Sequence, residues 1–269
     1  TAGGSAGQFV FAPTSAALIS AFGWSDGLVV MAIIIAITIP LALSMKAGSA
    51  ETLAQPDSQS LKTALFEACR HRGYWLLVLG FYVCGFHVQF IGTHLPGFLN
   101  DSGADSWVAA WALGTIGLFN IVGTILAGWL GSRRRKRNLL SLLYLSRAIL
   151  FATFIYLPTT ELTVLVFSAI LGLLWLSTVP LTSGIVAQVF GPRYMGTLFG
   201  IVFLSHQLGS FTGVALGGLL YDIYGSYEAA WWIAVALGGI AALMHLVIDD
   251  TPVERWVAEQ KATADKTGS

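Results

Sequence analysis

The stretch Gly128-Trp129-Leu130-Gly131-Ser132-Arg133-Arg134-Arg135-Lys136-Arg137 closes one long apolar segment and is followed, from Leu139, by another. Its last five residues are consecutive cations in a chain of 269 residues of which only 10% are charged. A five-cation block between apolar segments is far too polar to enter hydrocarbon. If the flanking segments are helices that cross a bilayer, the block belongs on the cytoplasmic face, and every other loop can be oriented from it. Composition supports the membrane reading: 55% of residues are hydrophobic, mean hydropathy is +0.73, and the 9 Trp and 16 Phe exceed the needs of a water-soluble core of this size.

A spanning helix needs about 20 predominantly apolar residues. A scan at that length finds eight candidates, here lettered a to h. They run from Ala2 to Ala21, Gly27 to Met45, Gly73 to Pro96, Ser106 to Gly131, Leu139 to Leu157, Leu162 to Val189, Met195 to Tyr221 and Tyr227 to Ile248. The widest gap, Lys46 to Arg72, is polar, contains Pro56 and reads as a linker with a short surface helix from Leu61 to Cys69. The expected organisation is two helices in 1–45, a cytoplasmic linker in 46–72, six helices in 73–248 and a cytoplasmic tail in 249–269.

Loop charges sort on this frame. Lys46, Lys62, Arg70, Arg72, Arg193, Arg255, Lys261 and Lys266 fall on the side of the five-cation run, while the opposite loops carry Asp26, Asp101, Asp105, Glu161, Asp222 and Glu228. Of fourteen cations only Arg147, inside span e, departs from the pattern. A water-soluble helical protein has no reason to alternate charge in this way, so the expected class is an all-α, multi-pass membrane protein. Zero net charge argues against a nucleic-acid partner. Cys69 and Cys84 fall on a cytoplasmic segment and a membrane helix, which argues against a disulfide framework. The chain opens inside span a without a signal peptide's basic n-region and reads as cut from something longer, after an even number of helices.

Several motifs resemble the major facilitator superfamily, in particular the last eight of its twelve helices. The stretch from Gly128 to Arg137 is similar to the family's Gly-x-x-x-Asp-Arg-x-Gly-Arg-Arg loop, with Ser132 in place of the Asp and Arg135 in place of the second Gly. Arg193-Tyr194-Met195-Gly196-Thr197-Leu198-Phe199-Gly200 and Asp222-Ile223-Tyr224-Gly225-Ser226-Tyr227 resemble the entry and exit of the eleventh helix in bacterial members. Gly3, Gly7, Pro13 and Phe22-Gly23-Trp24 resemble the fifth helix of the monocarboxylate-porter-like branch, and Cys84-Gly85-Phe86 with Thr93-His94-Leu95-Pro96 its seventh. The resemblance implies a fold lacking its first four helices here, with spans c to h forming a C-terminal bundle of two inverted triplets. It also implies alternating access around a site near the bilayer midplane.

Polar groups inside spans are costly, and each is a candidate for either function or helix-to-helix bonding. On span c, Cys84, His87, Ile91 and His94 share one stripe, while Gln89 lies about 200 degrees from His87 and faces elsewhere. On span g, His206 shares a face with Gly209 and Gly213, with Gln207 one step round. On span d, Asn120 lies with Gly117, Gly123 and Thr124; on span f, Trp175, Thr178 and Thr182 align around Pro180. The family's cavity-lining helices are those resembled by c, d, f and g, which nominates His87, Asn120, Thr178, His206 and Gln207 for substrate binding. His94, beside Pro96 at the outer end, and Arg147, about 13 Å into span e at 1.5 Å per residue, are candidates for coupling or gating. So are Gly209 and Gly213, in a small-residue ridge that lets another backbone approach.

The expected function is secondary active transport of a small organic solute such as a monocarboxylate or other organic anion, in a monomeric plasma- or inner-membrane protein without cofactor or metal. A co-transported proton is the expected coupling partner. Two alternatives stay open on the sequence: an integral membrane enzyme, which the scattered acids Asp101, Asp105, Asp249 and Asp250 support poorly, and a non-transporting receptor on a transporter fold.

Overall fold

The computed structural model describes residues 2–44 and 59–267. Thr1, residues 45–58 and residues 268–269, which include Lys46, Pro56 and most of the expected linker, lie outside the described residues. The elements run α1 (Ala2–Ala36), α2 (Thr38–Ser44), α3 (Leu61–Arg70), α4 (Arg72–Asp101), α5 (Ser106–Arg133), α6 (Lys136–Tyr156), α7 (Glu161–Leu174), α8 (Thr178–Phe190), α9 (Met195–Tyr224), α10 (Glu228–Leu246) and α11 (Glu254–Thr267). Seven helical stretches among the described residues are long and apolar enough to cross a membrane.

The first of these, Gly3–Pro40, covers nearly all of expected span a and span b as far as Pro40, with the end of span b at Met45 outside the described residues. Gly23 adopts φ 79°, ψ 167°, a backbone state that a side chain would strain, and the chain reverses there. The hydroxyl of Ser15 consequently lies 3.9 Å from the sulfur of Met31. Sixteen residues along a straight helix would separate them by roughly 24 Å. Span f is also interrupted: α7 and α8 are separated by Trp175–Ser177, with Pro180 in the first turn of α8, where its missing N–H does least harm.

The acids assigned to the outer loops have a local structural role. Asp105 caps α5 by accepting the Trp107 N–H (3.0 Å), and Glu161 and Glu228 sit in the first turns of α7 and α10, where the helix dipole favours negative charge. At the opposite end the five-cation run divides. Arg133, Arg134 and Arg135 are exposed, Arg133 lying over the Trp129 ring at 4.0 Å, whereas Lys136 donates to Gln188 (2.9 Å) and Arg137 to the Ile248 carbonyl (2.6 Å). Arg255, at the start of α11, reaches Glu67 of α3 (3.2 Å), Glu259 (2.9 Å) and the Phe190 carbonyl (2.8 Å). The cation-rich loops, α3 and α11 thus gather at one end of the molecule.

Between those ends the helices pack in pairs, α4 with α9, α5 with α7, α6 with α10, and α1 against α5. Each helix of the run α4 to α6 therefore rests on one from the following run, α7 to α10, the pairing expected of two inverted triplets. Glycine makes these approaches possible. A Cβ on Gly209 would meet the Tyr82 carbonyl, one on Gly213 the Phe86 carbonyl at 2.6 Å and one on Gly217 the His94 ring at 2.6 Å, so α9 lies backbone-close against α4. Two apolar clusters fill the interior. One, toward the cation-rich end, includes Leu77, Phe81, Leu140, Tyr144 and Val186; the other is an aromatic nest around Trp231, whose ring lies 5.3–5.6 Å from Phe90, Phe98, Phe151 and Phe154. Large apolar side chains also cover the outside, Ile125, Ile149, Leu204 and Leu243 among them, as a hydrocarbon surround permits.

The ridge on α9 yields a direct contrast. Gly209→Ala forces a methyl into the Tyr82 backbone and is expected to destabilise by about 1–3 kcal/mol. Gly200→Ala, with nothing within 4 Å of the new Cβ, is expected to be neutral or to stabilise by about 0.5–1 kcal/mol. Melting temperatures of the two variants in detergent micelles check the difference; equal shifts would show that the α4–α9 contact is looser than described.

Candidate functional site

Breaking a helix inside an apolar bundle leaves backbone groups without partners, and each must find one. At Trp175–Ser177 the repair comes from three directions. Ser177 folds its hydroxyl back to the Leu173 carbonyl (2.6 Å). Asn120 of α5 accepts the Leu176 N–H with its Oδ1 (3.0 Å) and donates from Nδ2 to the Ser5 hydroxyl of α1 (2.7 Å). Arg147 of α6, wholly buried, donates from Nε to the Leu174 carbonyl (3.2 Å) and from Nη2 to both the Leu174 and Trp175 carbonyls. Its Nη1 lies 3.7 Å from Cys84 Sγ, and its guanidinium carbon sits 5.4 Å from the Tyr144 ring centre. The partner that Arg147 requires at its depth is a pair of carbonyl dipoles on the broken helix.

Why these side chains reach the break follows from their helices. Gly123, one turn beyond Asn120, brings α5 so close that a Cβ there would meet the Leu173 carbonyl, and Gly172 admits Ile116 of α5 from the other side. Thr178, the first residue of α8, places its hydroxyl 3.2 Å from Cys84 Sγ, so Arg147, Cys84 and Thr178 form one buried cluster joining α4, α6 and α8.

Directly beside the break lies an open cleft of about 410 Å³. It is lined by Gln8, Phe11 and Ser15 from α1, Val88, Gln89 and Gly92 from α4, and Trp175 itself. Its volume falls in the range of small-molecule sites, and its walls combine apolar surface with a few convergent polar groups. Gln8 donates to the Leu113 carbonyl (3.0 Å), leaving its Oε1 without a partner among the described residues. The Gln89 carboxamide is exposed and likewise makes no hydrogen bond among the described residues. No charged side chain lines the cleft.

Of the residues nominated from sequence, Asn120, Thr178 and Arg147 converge on the helix break. His87 lies elsewhere: fully buried, it donates to the Ala234 carbonyl of α10 (2.9 Å) and stands edge-on to Phe151 of α6 at 5.1 Å. His206 packs its ring against Phe203 and Phe81 (5.3 and 5.0 Å) and bonds the exposed Gln207 (3.2 Å). Toward the end opposite the cation-rich loops, His94 bonds the Val214 carbonyl (2.9 Å) and faces Tyr227 at 5.3 Å, binding α4 to the glycine ridge that contains Gly209 and Gly213. The cleft residues that sequence reasoning passed over are Gln8 and Gln89. The available signal was that each is a carboxamide in an apolar span; for Gln89 the angle away from His87 was legible, but not which of the two sides held the cleft.

Long apolar helices packed in pairs, with one of them broken inside the bundle, are the architecture of a multi-pass membrane protein, and sequence comparison gives the family. The chain belongs to the major facilitator superfamily, whose family model matches residues 1–214 and again 163–267. It is 27% identical over 263 residues to the uncharacterized MFS-type transporter YcxA of Bacillus subtilis (strain 168), covering 90% of this chain and 61% of that protein. It is 24% identical over 262 residues to monocarboxylate transporter 12 of Rattus norvegicus, covering 85% of this chain and 54% of the relative, and 28% identical over 145 residues to monocarboxylate transporter 12-B of Danio rerio, covering 53% and 30%. The chain thus spans little more than half the length of most of these relatives.

The capping role of Arg147 is directly measurable. Arg147→Met leaves the Leu174 and Trp175 carbonyls without donors, at an expected cost of about 1–3 kcal/mol for each orphaned group, and should lower the melting temperature in detergent. Arg147→Lys, lacking the planar fork, should recover only part of the loss. Wild-type melting by Arg147→Met would exclude the role.

Proposed function

We propose that the full-length protein is a secondary transporter that moves a small organic solute by alternating access, with this chain supplying one wall of the central site. The observation that carries the reading is the cleft between α1, α4, α5 and the α7–α8 break: it is open, of small-molecule volume and carries the polar groups of Gln8, Ser15 and Gln89 on an otherwise apolar wall. The glycine-lined α4–α9 contact offers a packed surface on which helices can shift without opening voids. In this reading the cation-rich end, with α3 and α11, faces the cytoplasm of a cell membrane. Relatives named as monocarboxylate transporters make a short organic acid the first solute to test, with a proton as the coupling partner.

Reconstitution of the full-length protein into liposomes tests the proposal. Saturable uptake of radiolabelled butyrate or lactate above that of protein-free vesicles is expected, increasing when the lumen is made alkaline. No movement of any short organic acid, amide or neutral solute under any imposed proton or solute gradient would overturn it.

A further inference from the structure

The question left open by the cleft is how it recognises a solute. Arg147, the sole cation inside the expected spans, is directed to the Leu174 and Trp175 carbonyls and to Cys84, and does not line the cleft. Asn120 is also occupied on both sides of its carboxamide. The histidines nominated from sequence lie outside the cleft lining, His87 turned to α10 and His206 packed among phenylalanines. What remains free is different in kind. Gln89 presents an unpartnered carboxamide, its Oε1 lying over Gly92, where the absent side chain leaves room beside it. Trp175, only 4% exposed yet part of the lining, has an indole N–H with no partner among the described residues. Phe11 and Val88 supply the apolar wall.

Gln89 is exposed where it lines the cleft, so its carboxamide is free to bond water or a solute, whereas the Asn120 carboxamide at the break is already bonded. We infer that Gln89 is the specificity-determining residue of this cleft, hydrogen-bonding a carbonyl oxygen of a short solute whose apolar body lies against Phe11 and Val88, with Trp175 as a second neutral donor. The described lining of the cleft then supplies no counter-charge. The favoured solute class is a short-chain acid or its uncharged amide, recognised through the oxygen that both share. The inference rests on the transport reading and deepens it.

The test uses the full-length protein in liposomes with radiolabelled butyrate as substrate and butyramide as competitor. Butyramide should inhibit uptake with an apparent affinity within about tenfold of unlabelled butyrate, because neutral donors still bond an amide carbonyl oxygen, though more weakly than a carboxylate. Gln89→Leu should raise KM for butyrate by roughly fivefold or more, with the maximal rate changed by less than about twofold, since one solute hydrogen bond is lost and no protein one. Gln89→Glu should reject butyrate more strongly than butyramide, because like charges meet in a poorly solvated cleft. A second readout does not depend on turnover: a cysteine in Gln89→Cys should react with a charged methanethiosulfonate from the aqueous phase, and butyrate should slow the reaction. An unchanged KM in Gln89→Leu, no inhibition by butyramide, or no labelling at position 89 would each overturn the inference while leaving transport standing. Failure of the wild-type protein to move butyrate or any other solute offered would overturn the transport reading itself.

Discussion

A backbone carbonyl inside an apolar bundle has no water to bond, and the three-residue break between α7 and α8 exposes several such groups at once. The rest of the site depends on how they are satisfied. Arg147 closes the carbonyl side from α6 and Asn120 closes the N–H side from α5, while Asn120 also anchors α1 through Ser5. Three helices, α1, α5 and α6, are thereby registered on a single break. The cleft opens beside it because Trp175, released from helical geometry at that point, can form part of its wall.

The arrangement also explains an intramembrane arginine with no acidic partner among the described residues. Two carbonyl dipoles and a sulfur do not neutralise a guanidinium, but they bond its fork in the planar geometry that makes Arg suited to such sites. The guanidinium is bonded to the backbone of the break beside the cleft and does not line it. The same economy is seen in the glycines. Gly123 and Gly172 bring α5 and α7 together at the break, and Gly209, Gly213 and Gly217 do so for α4 and α9, so that polar groups reach across short gaps.

Much of the fold was legible because membrane spans are written in local composition. Length, hydropathy and the sorting of cations identify spans c to h near their observed positions, and the short helix expected in the linker from Leu61 to Cys69 is found at Leu61–Arg70. The break in span f was less legible: Pro180 signals a disturbance but not its place, since proline is tolerated in a first turn and the helix parts upstream, at Trp175. For the site, Asn120 and Thr178 stand out in the sequence as polar groups in apolar spans; Asn120 bonds the break at Leu176, Thr178 bonds Cys84 just after it, and neither lines the cleft. Gln89 was seen to face away from His87, yet periodicity could not tell which of them met open space.

That limit is geometric. The sequence by itself determined the class of protein, the span lengths, the end at which the cations gather and the angular order of residues around each helix, because these depend on one helix and its surroundings. Only the tertiary structure decided how each helix is rotated about its own axis. Glycine contacts at Gly209 and Gly123 and the bonds made by Arg147 and Asn120 set those rotations, and they join residues far apart in the chain. They turn His87 into the packed interior and Gln89 into the cleft.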